Sequence, residues 1–171
     1  MTPTEEILAV EDIKQLKARY FRCLDTKDWN GYLAVFTPDA RIDSSWASIP
    51  IDYTGKPRII DGFVPPPPTP EWDWYDPVKF VEYLSKFLEN VTTVHHGHMP
   101  EIKLTSPTTA TGIWAMEDKL LYPKEPSSSG QQDGTREMHG YGHYTETYER
   151  QADGWRIKSL RLTRVRVDFR R

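Results

Sequence analysis

Histidine and aspartate residues of the C-terminal half are the first candidates for chemistry. The sequence holds five histidines, and three of them, His95, His96 and His98, fall within four positions. Side chains alternate between the two faces of a strand, so His95 is predicted on one face and His96 and His98 on the other. Asp118 lies on the next predicted strand, and a turn near residues 105–108 makes it a cross-strand neighbour of His95. We therefore predict that His95 and Asp118 are hydrogen-bonded, either as a general base with its supporting acid or as a purely structural pair.

His96 and His98 could instead share a metal ion, because two histidines at this spacing lie on one strand face. The same His-x-His pattern occurs in cupin barrels, but the later glycine, proline and histidine elements of cupins are missing from this sequence. We expect His96 to cover the sheet surface and bond a neighbouring side chain. No bound catalytic metal is expected.

Two residues of the first predicted helix form another candidate group. Tyr20 lies in the apolar stripe of this helix, where a buried hydroxyl needs a hydrogen-bonding partner. Asp25 lies at the helix C-terminus, where the helix dipole disfavours an acid. The local pattern favours Asp25 as a cap of the turn over 26–28, and a functional role is the alternative.

The elements that must position these residues follow from periodicity and from turn residues. Apolar residues spaced by three and four predict helices over 5–24, from about Asp28, and from about Asp76 with Pro77 at its first position. Strands are predicted over 39–43, 91–104, 108–121, 137–150 and 155–168. Helices followed by long consecutive strands indicate an α+β fold, in which the N-terminal helices pack on the concave face of a cone-shaped, curved antiparallel sheet.

The segment 45–75 interrupts this pattern with many prolines and with Trp46, Trp72 and Trp74. A disordered linker is poor in aromatic residues, so we predict an ordered loop that folds back over the pocket as a lid. Trp46 is expected to contact a substrate. Trp114, on the strand face shared with Asp118, is expected to do the same.

Composition limits the class of protein. A length of 171 residues predicts a single domain over 1–171, and a net charge of −3 gives no general attraction to nucleic acid. The single cysteine excludes an internal disulfide, and no apolar run reaches the ~18–20 residues of a membrane span. We expect a soluble, cytoplasmic protein without a membrane or nucleic-acid partner, which binds an apolar small molecule and forms a homodimer or homotrimer.

Several of these segments resemble a known family. Residues 13–25, followed by Trp29, resemble the opening helix of SnoaL-like proteins in the nuclear-transport-factor-2-like superfamily. More narrowly, the chain is similar to the bacterial bile acid 7-alpha-dehydratases in residues 97–102, 108–114, 117–118, 144–145, 148–149 and 153–155. The resemblance covers most of the chain except 45–75 and 122–136.

The resemblance implies a cone-shaped fold and cofactor-free lyase chemistry on a ring-containing, steroid- or polyketide-like hydroxy carbonyl compound. The catalytic residues of the family correspond to Tyr20, Asp25, His95 as the base and Asp118 as its supporting acid. Arg164 corresponds to an arginine near the pocket.

This chain departs from the family pattern in three places that concern the pocket wall. Ser44 replaces a pocket tyrosine, the 45–75 segment is longer, and His139 replaces a neutral polar residue. We therefore expect Arg164, His139, Trp46 and Trp114 to contact the substrate, whose identity does not follow. An isomerase or cyclase that uses the same proton abstraction, and a non-catalytic small-molecule-binding module, stay open as alternatives.

Overall fold

The computed structural model describes residues 1–52, 54–58, 68–123 and 135–170. Its elements, in chain order, are α1 (Pro3–Asp25), α2 (Trp29–Leu33), β1 (Phe36–Asp43), a 3-10 turn (Pro70–Trp72), β2 (Asp73–Trp74), α3 (Pro77–Phe87), β3 (Thr92–Ser106), β4 (Thr109–Leu121), β5 (Glu137–Gln151) and β6 (Gly154–Arg170). The predicted α+β class is confirmed, with N-terminal helices and one curved sheet of six strands among the described residues.

Side-chain caps set where the helices begin. The Thr2 side chain accepts a hydrogen bond from the backbone of Glu5, and the Glu5 carboxylate accepts one from the backbone of Thr2. This capping box starts α1 two residues earlier than predicted. Asp28 and Asp76 cap α2 and α3 as predicted, and Pro77 occupies the first position of α3.

The sheet has the strand order β2-β1-β6-β5-β4-β3. The four long strands β3 to β6 form the predicted antiparallel meander, with ends that differ by at most two residues from the prediction. β1 pairs with β6 in parallel, so the expectation of a wholly antiparallel sheet is wrong at this edge. The reason is that α3 and four strands, β2 to β5, lie between β1 and β6 in the sequence, and the chain enters β6 in the same direction as β1.

Helix α1 packs on the concave face of the sheet and contributes to the core. Its inner stripe of Ile13, Leu16, Tyr20 and Leu24 is at most 3% exposed. The predicted stripe extends too far toward the N-terminus, because Ile7 projects beyond the sheet and is 71% exposed.

The described part of the 45–75 segment folds back onto the sheet. The Ser44 backbone donates to the Trp72 carbonyl, and the Ile51 backbone donates to the Arg164 carbonyl at 2.8 Å. β2 pairs with β1, so the segment is anchored at that edge. Residues 53 and 59–67 of the predicted lid lie outside the described residues. Among the described helices, none is both long enough and apolar enough to cross a membrane.

Candidate active site

A cavity of about 690 Å³ lies between the inner face of the sheet and the helices. Most of its wall is apolar, and the apolar lining includes Leu24, Ile42, Trp72, Phe80, Leu84, Phe87, Leu88, Leu120, Met138, Leu160, Leu162 and Phe169. A polar group is formed by Tyr20, Tyr32, Thr93, His95, Asp118, Tyr144 and Arg164. An apolar cavity with a few polar side chains is the usual form of a small-molecule site.

The imidazole of His95 is held by Asp25 and not by Asp118. Nδ1 of His95 lies 2.6 Å from Oδ1 of Asp25, and the His95 backbone N–H donates to Oδ2 at 2.8 Å. Asp25 therefore does not cap the 26–28 turn, and that local expectation is wrong. Because α1 lies across β3, the last residue of the helix meets the start of this strand.

Asp118 faces the cavity beside His95, but its carboxylate is hydrogen-bonded to Arg164. The predicted register is confirmed, since His95 pairs with Asp118 across β3 and β4. Nε2 of His95 is 3.8 Å from Oδ2 of Asp118, which is longer than a hydrogen bond, so the predicted bond is wrong. Both carboxylate oxygens of Asp118 instead accept hydrogen bonds from Arg164 at 2.7 Å.

The Asp118–Arg164 pair is buried and depends on a glycine between its strands. The side chains are 4% and 3% exposed, and Nε of Arg164 also donates to the Ala47 carbonyl at 2.8 Å. Gly140 of β5 lies opposite Asp118, and a Cβ there would overlap Oδ1 of Asp118 and Nη1 of Arg164. Burial works against the charge of Arg164, but Asp118 more than offsets this and raises the pKa of the guanidinium.

The Asp25 carboxylate is fixed by further hydrogen bonds. The hydroxyl of Thr93 donates to Oδ1 of Asp25 at 2.9 Å and accepts from Nζ of Lys27 at 2.9 Å. Burial raises the pKa of Asp25, but the hydrogen bonds and charge of His95 and the hydroxyl of Thr93 lower it further, so the net pKa is below the ordinary value. Asp25 is thus a carboxylate at neutral pH.

Three tyrosines, Tyr20, Tyr32 and Tyr144, bring their hydroxyl groups to the same end of the cavity. The Tyr20 ring centroid is 5.0 Å from that of Tyr32 and 5.7 Å from that of Tyr144. Burial is the main cause that raises the pKa of each hydroxyl well above its ordinary value. All three are therefore neutral hydrogen-bond donors. Sequence reasoning missed Tyr32 and Tyr144 as site residues, although strand alternation places Tyr144 on the face of Met138.

Below the tyrosines, on the side away from the cavity, lies a buried polar network. Lys17 and Glu146 form an ion pair with exposures of 1% and 0%, and the Tyr148 hydroxyl also donates to Glu146. Nζ of Lys17 lies 3.9 Å from the ring centroid of Tyr20. The sequence could have indicated this position, because residue 17 is three positions before Tyr20 on the same helix face.

Three residues that we expected to contact the substrate are not among the described residues that line the cavity. His139 faces the outer side of the sheet, since its neighbour Met138 points into the cavity and side chains alternate. Trp114 faces inward but is buried in the core, where its Nε1 donates to the Tyr148 hydroxyl at 2.8 Å. Trp46 does not line the cavity among the described residues, whereas Trp72 does.

The other histidines of β3 do not reach the cavity. His96 lies on the outer face, where Nδ1 is 3.1 Å from Oε1 of Glu117, which confirms the predicted surface role. Within the described ranges, no group of three or more His, Cys, Asp or Glu side chains has the arrangement of a metal site.

The comparison with known proteins agrees with this fold. A family model described as the SnoaL-like domain matches residues 5–161. The chain belongs to the SnoaL-like family. A relative, Probable cyclase FGR4 of Gibberella zeae, is 25% identical over 153 residues, which cover 90% of this chain and 89% of that protein.

Solved structures show the same fold at low sequence identity. A candidate scytalone dehydratase from Novosphingobium aromaticivorans has a TM-score of 0.73 and 15% identity, over 99% of this chain and 93% of that chain. A type 2 hexachlorocyclohexane dehydrochlorinase has a TM-score of 0.69 and 14% identity, over 99% and 94%. At this identity, the two structures support the fold alone.

Proposed function

We propose that this protein is a cofactor-independent dehydratase, in which His95 removes a proton from a ring-containing hydroxy carbonyl compound. The observation that carries the proposal is the orientation of His95. Its Nδ1 is bound to a carboxylate at 2.6 Å, and its ring lines an apolar cavity. This arrangement leaves Nε2 as the atom available for a substrate.

The neighbours of His95 support a role as general base. Because Asp25 is a carboxylate, it accepts a hydrogen bond from Nδ1–H and selects the tautomer whose Nε2 carries a lone pair. The negative charge of Asp25 also stabilises the imidazolium that forms after proton abstraction. A base of this kind typically contributes ~10²–10⁴-fold to a rate.

The tyrosine hydroxyls support the other half of the reaction. Tyr20 is neutral and buried, so its hydroxyl can donate a hydrogen bond to a carbonyl oxygen on which negative charge develops. Tyr32 and Tyr144 interact with Tyr20 and extend this donor group. The tyrosine hydroxyls would thus stabilise the dienolate oxygen, as the oxyanion hole does in acyl-transfer enzymes.

The reaction we propose is an elimination that balances without a cofactor. The C–H bond one vinylogous position from the carbonyl breaks, its proton goes to Nε2 of His95, and a dienolate forms. The electron pair of the dienolate then forms the new C=C bond while the C–O bond to the hydroxyl breaks. The hydroxyl takes the proton from the His95 imidazolium and leaves as water.

The cavity favours a substrate of steroid or polyketide type. Its volume of about 690 Å³ lies within the range of about 300–1,000 Å³ typical of drug-sized ligands. The wall is mostly apolar, and Arg164, a buried cation among the described lining residues, is already paired with Asp118. A rigid ring system with its carbonyl at the tyrosine end fits this distribution. The narrower likeness to bile acid 7-alpha-dehydratases makes steroids the first class to test.

The test is a screen of 3-oxo-4-ene steroids that carry a 7-hydroxyl group, followed by the absorbance of the extended dienone. We expect turnover by the wild type without added metal or cofactor, and none by His95→Ala at the same folded concentration. Turnover by His95→Ala at the wild-type rate would contradict the assignment of the base.

A cyclase is the second candidate, because the relative FGR4 of Gibberella zeae is named as one. The same proton abstraction would then form a carbon–carbon bond without loss of water. Mass spectrometry separates the two reactions, since dehydration lowers the product mass by one water and cyclisation does not. A homo-oligomeric state and a cytoplasmic location stay predictions.

A further inference from the structure

The turn after α1 contains a lysine in a backbone conformation that favours glycine. Lys27 has a φ of 59°, and it is the only described residue other than glycine with a positive φ. The Asp28 N–H donates to the Cys23 carbonyl and the Lys27 N–H to the Leu24 carbonyl, which is the Schellman pattern. Glycine is usual at this position because it has no Cβ to clash. Lys27 therefore occupies a position where the backbone conformation favours glycine.

The side chain of Lys27 is connected to the candidate base His95 by hydrogen bonds through Thr93 and Asp25. Its Nζ donates to Oγ1 of Thr93 at 2.9 Å, and Thr93 donates to Oδ1 of Asp25 at 2.9 Å. Thr93 is 3% exposed and lines the cavity. The same Oδ1 atom of Asp25 meets Nδ1 of His95. A chain of hydrogen bonds thus connects the strained turn to the imidazole.

The charges around His95 indicate what this hydrogen-bonded chain could do. Asp25 of α1 and Asp118 of β4 lie within 4 Å of the imidazole. The other titratable and charged groups that line the cavity around it include Tyr20 from α1, Tyr32 from α2, Tyr144 from β5 and Arg164 from β6. Two carboxylates beside one imidazole would stabilise the imidazolium strongly and leave little neutral base. Arg164 neutralises Asp118.

We propose that Lys27, acting through Thr93, is a positioning residue that counterbalances the charge of Asp25 beside the imidazole of His95. Each carboxylate beside His95 then has its own cation, Arg164 for Asp118 and Lys27 for Asp25. The effect on His95 stands by itself, and only its consequence for catalysis rests on the proposed function.

The direct test is the titration of His95 followed by NMR, with the His95 signal assigned from the spectrum of His95→Ala. Lys27→Met removes the charge and keeps the length of the chain, so the pKa of His95 should rise by about half a unit or more. Lys27→Arg keeps the charge and should restore the wild-type titration. A His95 pKa that is unchanged in Lys27→Met, or raised equally in Lys27→Arg, would overturn the proposal.

Lys27→Gly separates this role from a structural one. Glycine relieves the left-handed backbone, so the melting temperature should stay unchanged or rise by up to about 4 °C while the pKa of His95 still rises. A purely structural lysine predicts the opposite, namely a lower melting temperature with an unchanged titration.

Thr93 gives a second, independent variant. Thr93→Val removes the hydroxyl that connects Lys27 to Asp25, so the His95 titration should shift in the same direction as in Lys27→Met. Thr93→Ser should restore it. If a substrate is found, the acid limb of the rate profile should move by the same amount in both variants. Absence of turnover by the wild type would count against the proposed function, whereas the NMR titration would still decide the role of Lys27.

Discussion

Replacing Asp118 by asparagine should strongly lower the stability of the fold, because Asp118 is the counter-charge of the buried Arg164. Asp118→Asn keeps the shape of the side chain and removes its charge. The guanidinium of Arg164 is 3% exposed and donates two hydrogen bonds, each at 2.7 Å, to the carboxylate of Asp118. The variant therefore leaves a buried cation without its counter-charge.

The size of the effect follows from this burial. Breaking a buried ion pair by removing one partner costs about 3–5 kcal/mol. For a chain of this length, each kcal/mol corresponds to about 2–4 °C in melting temperature, so the melting temperature should fall by about 6–20 °C. Urea unfolding followed by circular dichroism gives the free energy directly, and the slope with urea should not change.

Asp73→Asn is the matched control for Asp118→Asn. Arg41 donates two hydrogen bonds to Asp73 at 2.9 and 2.8 Å, in the same geometry, but its side chain is 49% exposed. An exposed pair contributes about 0–1 kcal/mol, so this variant should unfold nearly as the wild type does. An equal loss of stability in the two variants would refute the reasoning from burial.

Three further predictions concern the site. Asp25→Asn should stay folded and lose ~10²–10⁴-fold in rate, because it disturbs the tautomer of His95. His95→Ala should remove nearly all activity, and Tyr20→Phe should lower the rate by ~10²–10³-fold. A nearly active His95→Ala together with an inactive Asp25→Asn would assign the role of base to Asp25 instead. The pKa of Asp25 is lowered in the folded protein, so the carboxylate stabilises the fold above the ordinary carboxyl pKa of about 4, and this stabilisation is lost as the pH falls through the lower folded pKa. Urea unfolding between pH 5 and 2 should therefore show a smaller pH dependence of the free energy of unfolding in Asp25→Asn than in the wild type. Trp72→Ala should weaken the binding of an apolar ligand measured by fluorescence, whereas Trp46→Ala should not, because Trp72 lines the cavity; equal effects would argue against this wall of the cavity.

Strand alternation and helix capping made much of the fold predictable. The two-residue repeat of β3 separates His95 from His96, and Asp28 and Asp76 mark helix starts that the structure confirms. Such features depend on neighbours within a few residues. They can therefore be recognised in a single sequence.

The partners of the charged groups were not predictable in the same way. Periodicity places Asp118 on the inner face, but its partner Arg164 lies 46 positions further along the chain, beyond the intervening strand β5. Asp25 was expected to cap a local turn, whereas its partner His95 is 70 positions away. A pattern states which face a residue occupies and not which distant cation or imidazole it meets there.

Lys17 shows a third limit. The helical repeat places position 17 next to the buried stripe, yet a lysine is normally assigned to solvent. Its burial becomes reasonable only once Glu146, 129 positions away, is known to face it. The identity of such a partner requires the sheet register.

The glycine beneath the Asp118–Arg164 pair has a consequence for the evolution of this fold. Because a Cβ at position 140 would overlap the ends of both side chains of the pair, we expect positions 118, 140 and 164 to vary together. A lineage that gains alanine at 140 should lose the close pairing of the aspartate and the arginine, and a lineage that lacks the pair gains room for a larger residue in the cavity wall. Among related sequences, glycine at this position should therefore accompany the acid and the arginine, and a larger residue should mark chains whose pocket has been rebuilt for other chemistry.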